Sequence, residues 1–163
     1  MYDEIAFGPR QMGIIESEVE KRVEDCLNLL NIQALKYRQP YHLSEGEKRK
    51  IAIACVLSLN PEVLVLDEPL NGLDPRTQRW LVEFLIDFNK GGKTLVISTH
   101  NLEFLQEISN RALLFDEYHS IAADMEMGRI LEDIDLLKKV NLVDEYYHEH
   151  VGSKHRHFHL HNY

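Results

Sequence analysis

Residues 64–68 read Leu64-Val65-Leu66-Asp67-Glu68, an apolar run that ends in two adjacent carboxylates before Pro69. A short apolar run bounded by turn signals is the pattern of a strand buried in a parallel sheet. Two acids at the carboxyl end of such a strand add nothing to packing, and chemistry on open α/β sheets sits beyond that end. They are placed to meet a cation or a reacting water. A strand that closes in a solvated acidic turn would give the same five residues, so the neighbouring segments must decide.

Upstream stands Leu43-Ser44-Glu45-Gly46-Glu47, which opens an apolar segment from Ile51 to Leu59. Ser44 and Glu47 have the spacing of a capping box and fix a helix start. A helix start offers backbone N–H groups and a positive dipole end to an anion. Downstream come Asn71-Gly72-Leu73-Asp74 and then a second apolar strand, Leu95-Val96-Ile97, followed by Ser98-Thr99-His100. In order and spacing these four pieces match a signature loop, a Walker B strand with its following glutamate, a D-loop and a switch histidine.

The chain therefore resembles the ATP-binding subunit of an ABC transporter over roughly residues 1–142. Ile5-Ala6-Phe7-Gly8-Pro9, Arg38-Gln39-Pro40 and Ala52-Ile53-Ala54 are similar to the energy-coupling-factor and cobalt/nickel-uptake branch. The resemblance implies that Asp67 ligates Mg²⁺, that Glu68 is the general base and that His100 contacts the γ-phosphate of ATP. It implies that Ser44 and Gly46, with Glu47 in the same loop, bind a γ-phosphate held by a partner subunit, and that Asp74 signals across the dimer interface. Two positions depart from the family pattern. Glu45 stands where glycine is usual and adds negative charge beside an anion site; Glu47 stands where glutamine is frequent and keeps the capping box.

A Walker A loop cradles phosphates with backbone N–H groups and a lysine. Gly92-Lys93-Thr94 is the one candidate, but position 87 is Asp, and the segment follows a helix and feeds a strand. A P-loop does the reverse, so this segment reads as a helix-to-strand turn. The resemblance thus covers a C-terminal half that lacks the phosphate cradle.

The 163 residues suit one domain, and the formal net charge of −9 argues against a nucleic-acid partner, which would need clustered Lys and Arg. Lys48-Arg49-Lys50 reads as a solvated helix face. Cys26 and Cys55 fall in apolar helical patterns and read as reduced core cysteines of a cytosolic protein. No stretch approaches the length needed to span a bilayer.

The expected fold class is α/β, a P-loop NTPase of the ABC ATPase type with a helical signature subdomain, incomplete at its N-terminal side. The expected helical lobe covers about 14–59. It starts at a second capping box, Ser17 with Glu20, and one face carries Val19, Val23, Cys26, Leu27 and Leu30. The α/β part covers about 62–142. It comprises strand 63–67, a helix capped by Asp74 with Pro75 at its first position and a stripe of Trp80, Leu81, Phe84, Leu85 and Phe88, then strand 94–98, a helix near 102–109, strand 111–116, a hairpin strand near 120–124, a turn at Gly128 and a helix over 133–140. Alternating strands and helices imply a largely parallel sheet.

Residues 143–163 read as a flexible tail containing His148, His150, His155, His157, His159 and His161. Imidazole suits Ni²⁺, Co²⁺ and Zn²⁺, and a polar tail without any ligand is equally compatible with the composition. The leading functional expectation is an ATP-binding and ATP-hydrolysing subunit, or part of one, of an importer for cobalt, nickel or a vitamin. It would pair with a second ATP-binding subunit, as homo- or heterodimer, and with integral membrane transport subunits at the inner face of the cell membrane. The alternative is a vestigial ATPase half acting as a metal-binding or interaction module.

Overall fold

The computed structural model describes residues 1–143. Three helices, α1 (Tyr2–Gln11), α2 (Glu16–Leu29) and α3 (Glu45–Leu57), pack on one another. Val19, Val23, Cys26, Leu27 and Leu30, the face expected on α2, are all buried, together with Ile5 and Ala6 of α1 and Ile51, Ile53 and Ala54 of α3. Each fully buried aliphatic side chain of this kind contributes roughly 1.5–3 kcal/mol, well above an exposed ion pair at about 0–1 kcal/mol. The lobe is therefore held by its apolar faces.

Helix α1 lies outside the expected helical lobe of about 14–59. Pro9 lies inside the helix and is buried. Proline has no N–H, so the Ile5 carbonyl four residues earlier loses its helical donor. The Ser58 hydroxyl reaches it at 3.0 Å and shares its one proton between the Ile5 oxygen and the Cys55 oxygen at 2.8 Å. Gly8 lets the Leu59 side chain lie close to α1: a Cβ there would come within 2.8 Å of Leu59 Cδ2 and push that side chain aside.

The expected Ser17–Glu20 capping box does not form. Helix α2 starts at Glu16, with Ile15 as its N-cap and no side-chain cap. Arg10 donates to the Glu16 carboxylate at 3.1 Å, which fixes Glu16 in the first turn and leaves Ser17 inside the helix.

Beyond α3, strand β1 (Val63–Asp67) leads to α4 (Pro75–Lys90) and then to β2 (Thr94–Ser98), which pairs with β1. Asp74 caps α4 and Pro75 follows it, as expected. Leu81, Val82 and Leu85 form the buried part of α4, while Trp80, Phe84 and Phe88 are half-buried and pack ring to ring along the helix. β1 is not buried on both sides: Leu64 is buried, but Val63 and Val65 are 50% and 70% exposed. A strand with one neighbour and one open face alternates in burial, which a purely apolar run hides.

The described residues divide into two compact units, Met1–Val96 and Ile97 onward. In the second, α5 (Leu102–Ile108), β3 (Arg111–Phe115), β4 (Ile121–Glu126), α6 (Met127–Glu132) and α7 (Ile134–Lys139) surround a core of Leu102, Leu114, Ala123, Met127, Ile130, Leu137 and Val143. β3 and β4 pair antiparallel, with Arg111 opposite Glu126 and Leu114 opposite Ala123. Among the described residues the expected largely parallel sheet is thus two separate strand pairs. Gly128 does not mark a turn; it is the second residue of α6, whose start is pinned by the Met127 N–H donating to the Asn110 carbonyl at 3.0 Å. The expected last helix is present as α7, capped by Asp133 through the Leu136 N–H at 3.0 Å.

Candidate functional site

Asp67 is the final residue of β1 and is exposed, whereas Glu68 is half-buried. Glu68 has φ +40°, a left-handed conformation that non-glycine residues seldom adopt. Its neighbours hold it there. Pro69 and Leu70 are buried, the Asn71 N–H donates to the Glu68 carbonyl and the Leu73 N–H to the Leu70 carbonyl, both at 3.2 Å. Gly72, at φ +73°, completes the reversal that delivers the chain to Asp74. Backbone strain retained by surrounding structure is a feature of functional turns.

The first turn of α3 is built around Ser44 and Glu47. The Glu47 N–H donates to Ser44 Oγ at 3.3 Å, and the Ser44 N–H and hydroxyl donate to the Glu47 carboxylate at 2.8 and 3.0 Å. The expected capping box is complete. Those two donors, backbone first, hold the Glu47 carboxyl below its ordinary value, with Arg38 at 3.7 Å adding to the effect. Glu45, the residue that adds charge to the turn, is met by Lys48 at 2.6 Å. The extra negative charge is offset one turn along the same helix. Lys48 is thereby an ion-pair partner, and the basic run is not a uniformly solvated face.

The start of α4 is organised in parallel. Asp74 accepts from the Arg76 and Thr77 N–H groups at 3.0 and 3.1 Å, and the Thr77 hydroxyl donates to its second oxygen at 2.6 Å. The Thr77 hydroxyl and N–H keep the Asp74 carboxyl ionised below the usual range. Thr77 also touches α3: a Cβ on Gly46 would lie 2.9 Å from Thr77 Oγ1 and 3.2 Å from its Cγ2. Further along, Lys50 Nζ sits 4.2 Å above the Trp80 ring. Burial lowers the Lys50 pKa, and Arg76 pushes in the same direction. Ser44, Gly46 and Glu47 are therefore brought together with Asp74 through Thr77. Sequence reading missed Thr77 and Lys50, because only the approach of Thr77 to Gly46 and of Lys50 to Trp80 reveals them.

His100 is exposed, two residues beyond the end of β2, and belongs to the second unit. It directly precedes Asn101, whose side chain caps α5 by accepting from the Phe104 N–H at 2.9 Å. Gly92-Lys93-Thr94 is a helix-to-strand turn, with Gly92 at φ +86° and Lys93 Nζ 2.8 Å from Glu62. Lys93 is committed to that pair. Cys26 and Cys55 are free thiols, the first buried and the second half-buried. His148, His150, His155, His157, His159 and His161 lie outside the described residues.

A family profile described as "AAA domain, putative AbiEii toxin, Type IV TA system" matches residues 2–106. A "Putative ABC transporter ATP-binding protein" of Clostridium acetobutylicum is 50% identical over 143 residues, which is 88% of this chain and 59% of that protein. The chain belongs to the ABC transporter ATP-binding family. The nickel import ATP-binding protein LarO of Lactiplantibacillus plantarum is 44% identical to this family member over 76% of the chain and 51% of its own length. The structure of cbiO1 from Clostridium perfringens, part of the ABC transporter complex cbiONQ, superposes with a TM-score of 0.71 at 32% identity, covering 85% of this chain and 55% of that one. The fold is accordingly mixed α/β of the ABC ATPase type. The chain spans between about half and three fifths of the length of these relatives.

The donor set of this ABC-family chain fits a nucleotide-bound Mg²⁺. Mg²⁺ is held through substrate phosphates plus one or two carboxylates, and an exposed Asp67 at a strand end beside Glu68 meets that need. Among the described residues no three or more His, Cys, Asp or Glu side chains gather into an all-protein metal cage. Among the same residues no helix is long and apolar enough to cross a membrane.

Proposed function

We propose that this chain carries the acid pair and the signature turn of an ATP-binding, ATP-hydrolysing subunit of an ABC-type importer, with cobalt, nickel or a vitamin as cargo. The observation that carries the reading is the strained Asp67–Glu68 turn running in seven residues into Asp74, whose Thr77 rests on Gly46. One short segment thus links a cation-binding and base-bearing strand end to an anion-facing helix start.

In this reading Asp67 holds Mg²⁺, which supplies positive charge to the phosphates. Glu68 accepts the proton of the attacking water, and its half-buried position limits competition from bulk solvent. The Glu45 and Gly46 N–H groups at the start of α3, which have no intrahelical acceptor, face the γ-phosphate of a nucleotide held by a second ATP-binding subunit, and the Ser44 hydroxyl turns to it from the Glu47 carboxylate when that nucleotide arrives. His100 contacts the γ-phosphate, and Asp74 reports across that dimer. Integral membrane transport subunits at the inner face of the cell membrane are the further partners, and nucleic acid is not one. The histidines of 148–161 add binding of Ni²⁺, Co²⁺ or Zn²⁺.

The test compares Mg²⁺-dependent ATP turnover by the 163-residue chain with that of a chimera carrying the upstream part of the Clostridium acetobutylicum relative. The chimera turns ATP over, whereas the chain alone does so negligibly, because acids without a phosphate cradle do not position the nucleotide. Robust turnover by the chain alone, or an inert chimera that folds and binds ATP, overturns the reading.

A further inference from the structure

Two contacts join the starts of α3 and α4, and neither belongs to the capping of its own helix. The first is Thr77 against Gly46, at 2.9 and 3.2 Å from the position of an added Cβ. The second is Lys50 over Trp80 at 4.2 Å. Gly46 and Lys50 are one turn apart on α3, and Thr77 and Trp80 are one turn apart on α4, so the contacts lie along one seam. Of these four residues, Thr77 is the one whose side chain is also bound to Asp74, at 2.6 Å from Oγ1 to Oδ2.

We propose that Thr77 is a positioning residue that locks the Ser44–Gly46 turn to the Asp74 loop, so that both respond as one body. Threonine is β-branched and stiff at χ1. With its hydroxyl held by the Asp74 carboxylate, its rotamer is fixed, and the surface it presents to Gly46 is fixed with it. Residue 46 must be glycine because that surface cannot retreat. A displacement of the 70–74 loop is then passed to α3 by contact, without passing through the helix bodies. The consequence for hydrolysis rests on the reading above; the mechanical link does not, and its test uses no nucleotide.

Amide hydrogen exchange on the full 163-residue chain reads the link directly. The Glu47 and Lys48 N–H groups of α3 bond to Ser44, and the Thr77 and Gln78 N–H groups of α4 bond to Asp74. Thr77→Val keeps the shape and removes the hydroxyl. It accelerates exchange at all four amides, by roughly tenfold, the factor expected from losing a charge-assisted hydrogen bond. Thr77→Ser restores the native rates at Glu47 and Lys48. Acceleration confined to Thr77 and Gln78 would show that the hydroxyl serves α4 alone and would overturn the proposal.

A second arm inverts a sign. Gly46→Ala lowers the melting temperature in the native chain, because the new methyl meets a pinned Thr77. In the Thr77→Ala background it raises the melting temperature, since alanine is then simply the better helix former. A Gly46→Ala chain that lowers the melting temperature equally in both backgrounds contradicts the contact, and the exchange rates of Thr77→Val decide independently should Gly46→Ala fail to fold.

Discussion

Replacing Ser58 by alanine removes the hydroxyl that reaches the Ile5 carbonyl, which Pro9 has already deprived of its helical partner. Ser58 is 1% exposed and Ile5 is fully buried, so water does not reach the orphaned oxygen. The substitution deletes one atom and leaves almost no cavity; the dominant effect is the unsatisfied buried acceptor, at about 1–3 kcal/mol. For a unit of under a hundred residues, that loss lowers the melting temperature by roughly 4–8 °C per kcal/mol. Pro9→Ala supplies the missing N–H. In that background Ser58→Ala loses little, and the double-mutant cycle returns a coupling on the order of 1 kcal/mol. Urea denaturation of the four proteins, followed by circular dichroism, gives the numbers. A Ser58→Ala chain as stable as the parent, or an equal loss with and without Pro9, would mean that the hydroxyl does not serve the Ile5 carbonyl.

The Glu47 carboxyl is held below its ordinary 4.5 by the Ser44 donors, so its contribution is complete above about that pH and disappears as pH falls through the folded value. Ser44→Ala is therefore less stable than the parent at pH 7, and the gap narrows below pH 4.5 as the hydroxyl's bond to the Glu47 carboxylate is lost from the parent too, leaving the pH-independent loss of the acceptor for the Glu47 N–H; a gap that does not narrow down to pH 3 would show that the hydroxyl does not serve the carboxylate. Burial pushes the Cys26 thiol up to about 11 and leaves it 6% exposed, while Cys55 is half-buried. Iodoacetamide at pH 8 accordingly labels Cys55 first, as mass spectrometry of peptides would show; equal rates would mean that the three-helix core opens readily.

What the sequence makes legible is local. The Ser44–Glu47 box, the Asp74 cap with Pro75 and the buried face of α2 each depend on residues a few positions apart, and all three form. What it hides depends on distant partners. Pro9 is tolerated because Ser58 lies 53 positions away, and nothing near Pro9 announces it. Ser17 loses its expected cap to the competing Arg10–Glu16 pair. The apolar run of β1 conceals that one of its faces stays open, because valine suits a strand whether or not it is covered. The acid pair itself is legible, but the left-handed φ of Glu68 is a product of the turn that follows it. Thr77 carries no signal in one dimension; it acquires meaning only where its side chain meets Gly46.

Single-turnover ATP hydrolysis by the chimera described above, native and with Glu68→Gln, reads the role of the strand-end acids. The substitution lowers the rate at least about a hundredfold, as loss of a general base does, while nucleotide affinity and its Mg²⁺ dependence persist. Asp67→Asn, in contrast, weakens the Mg²⁺ dependence itself. Hydrolysis undiminished by Glu68→Gln, or ATP binding abolished by it, would contradict the assignment of the strand-end acids.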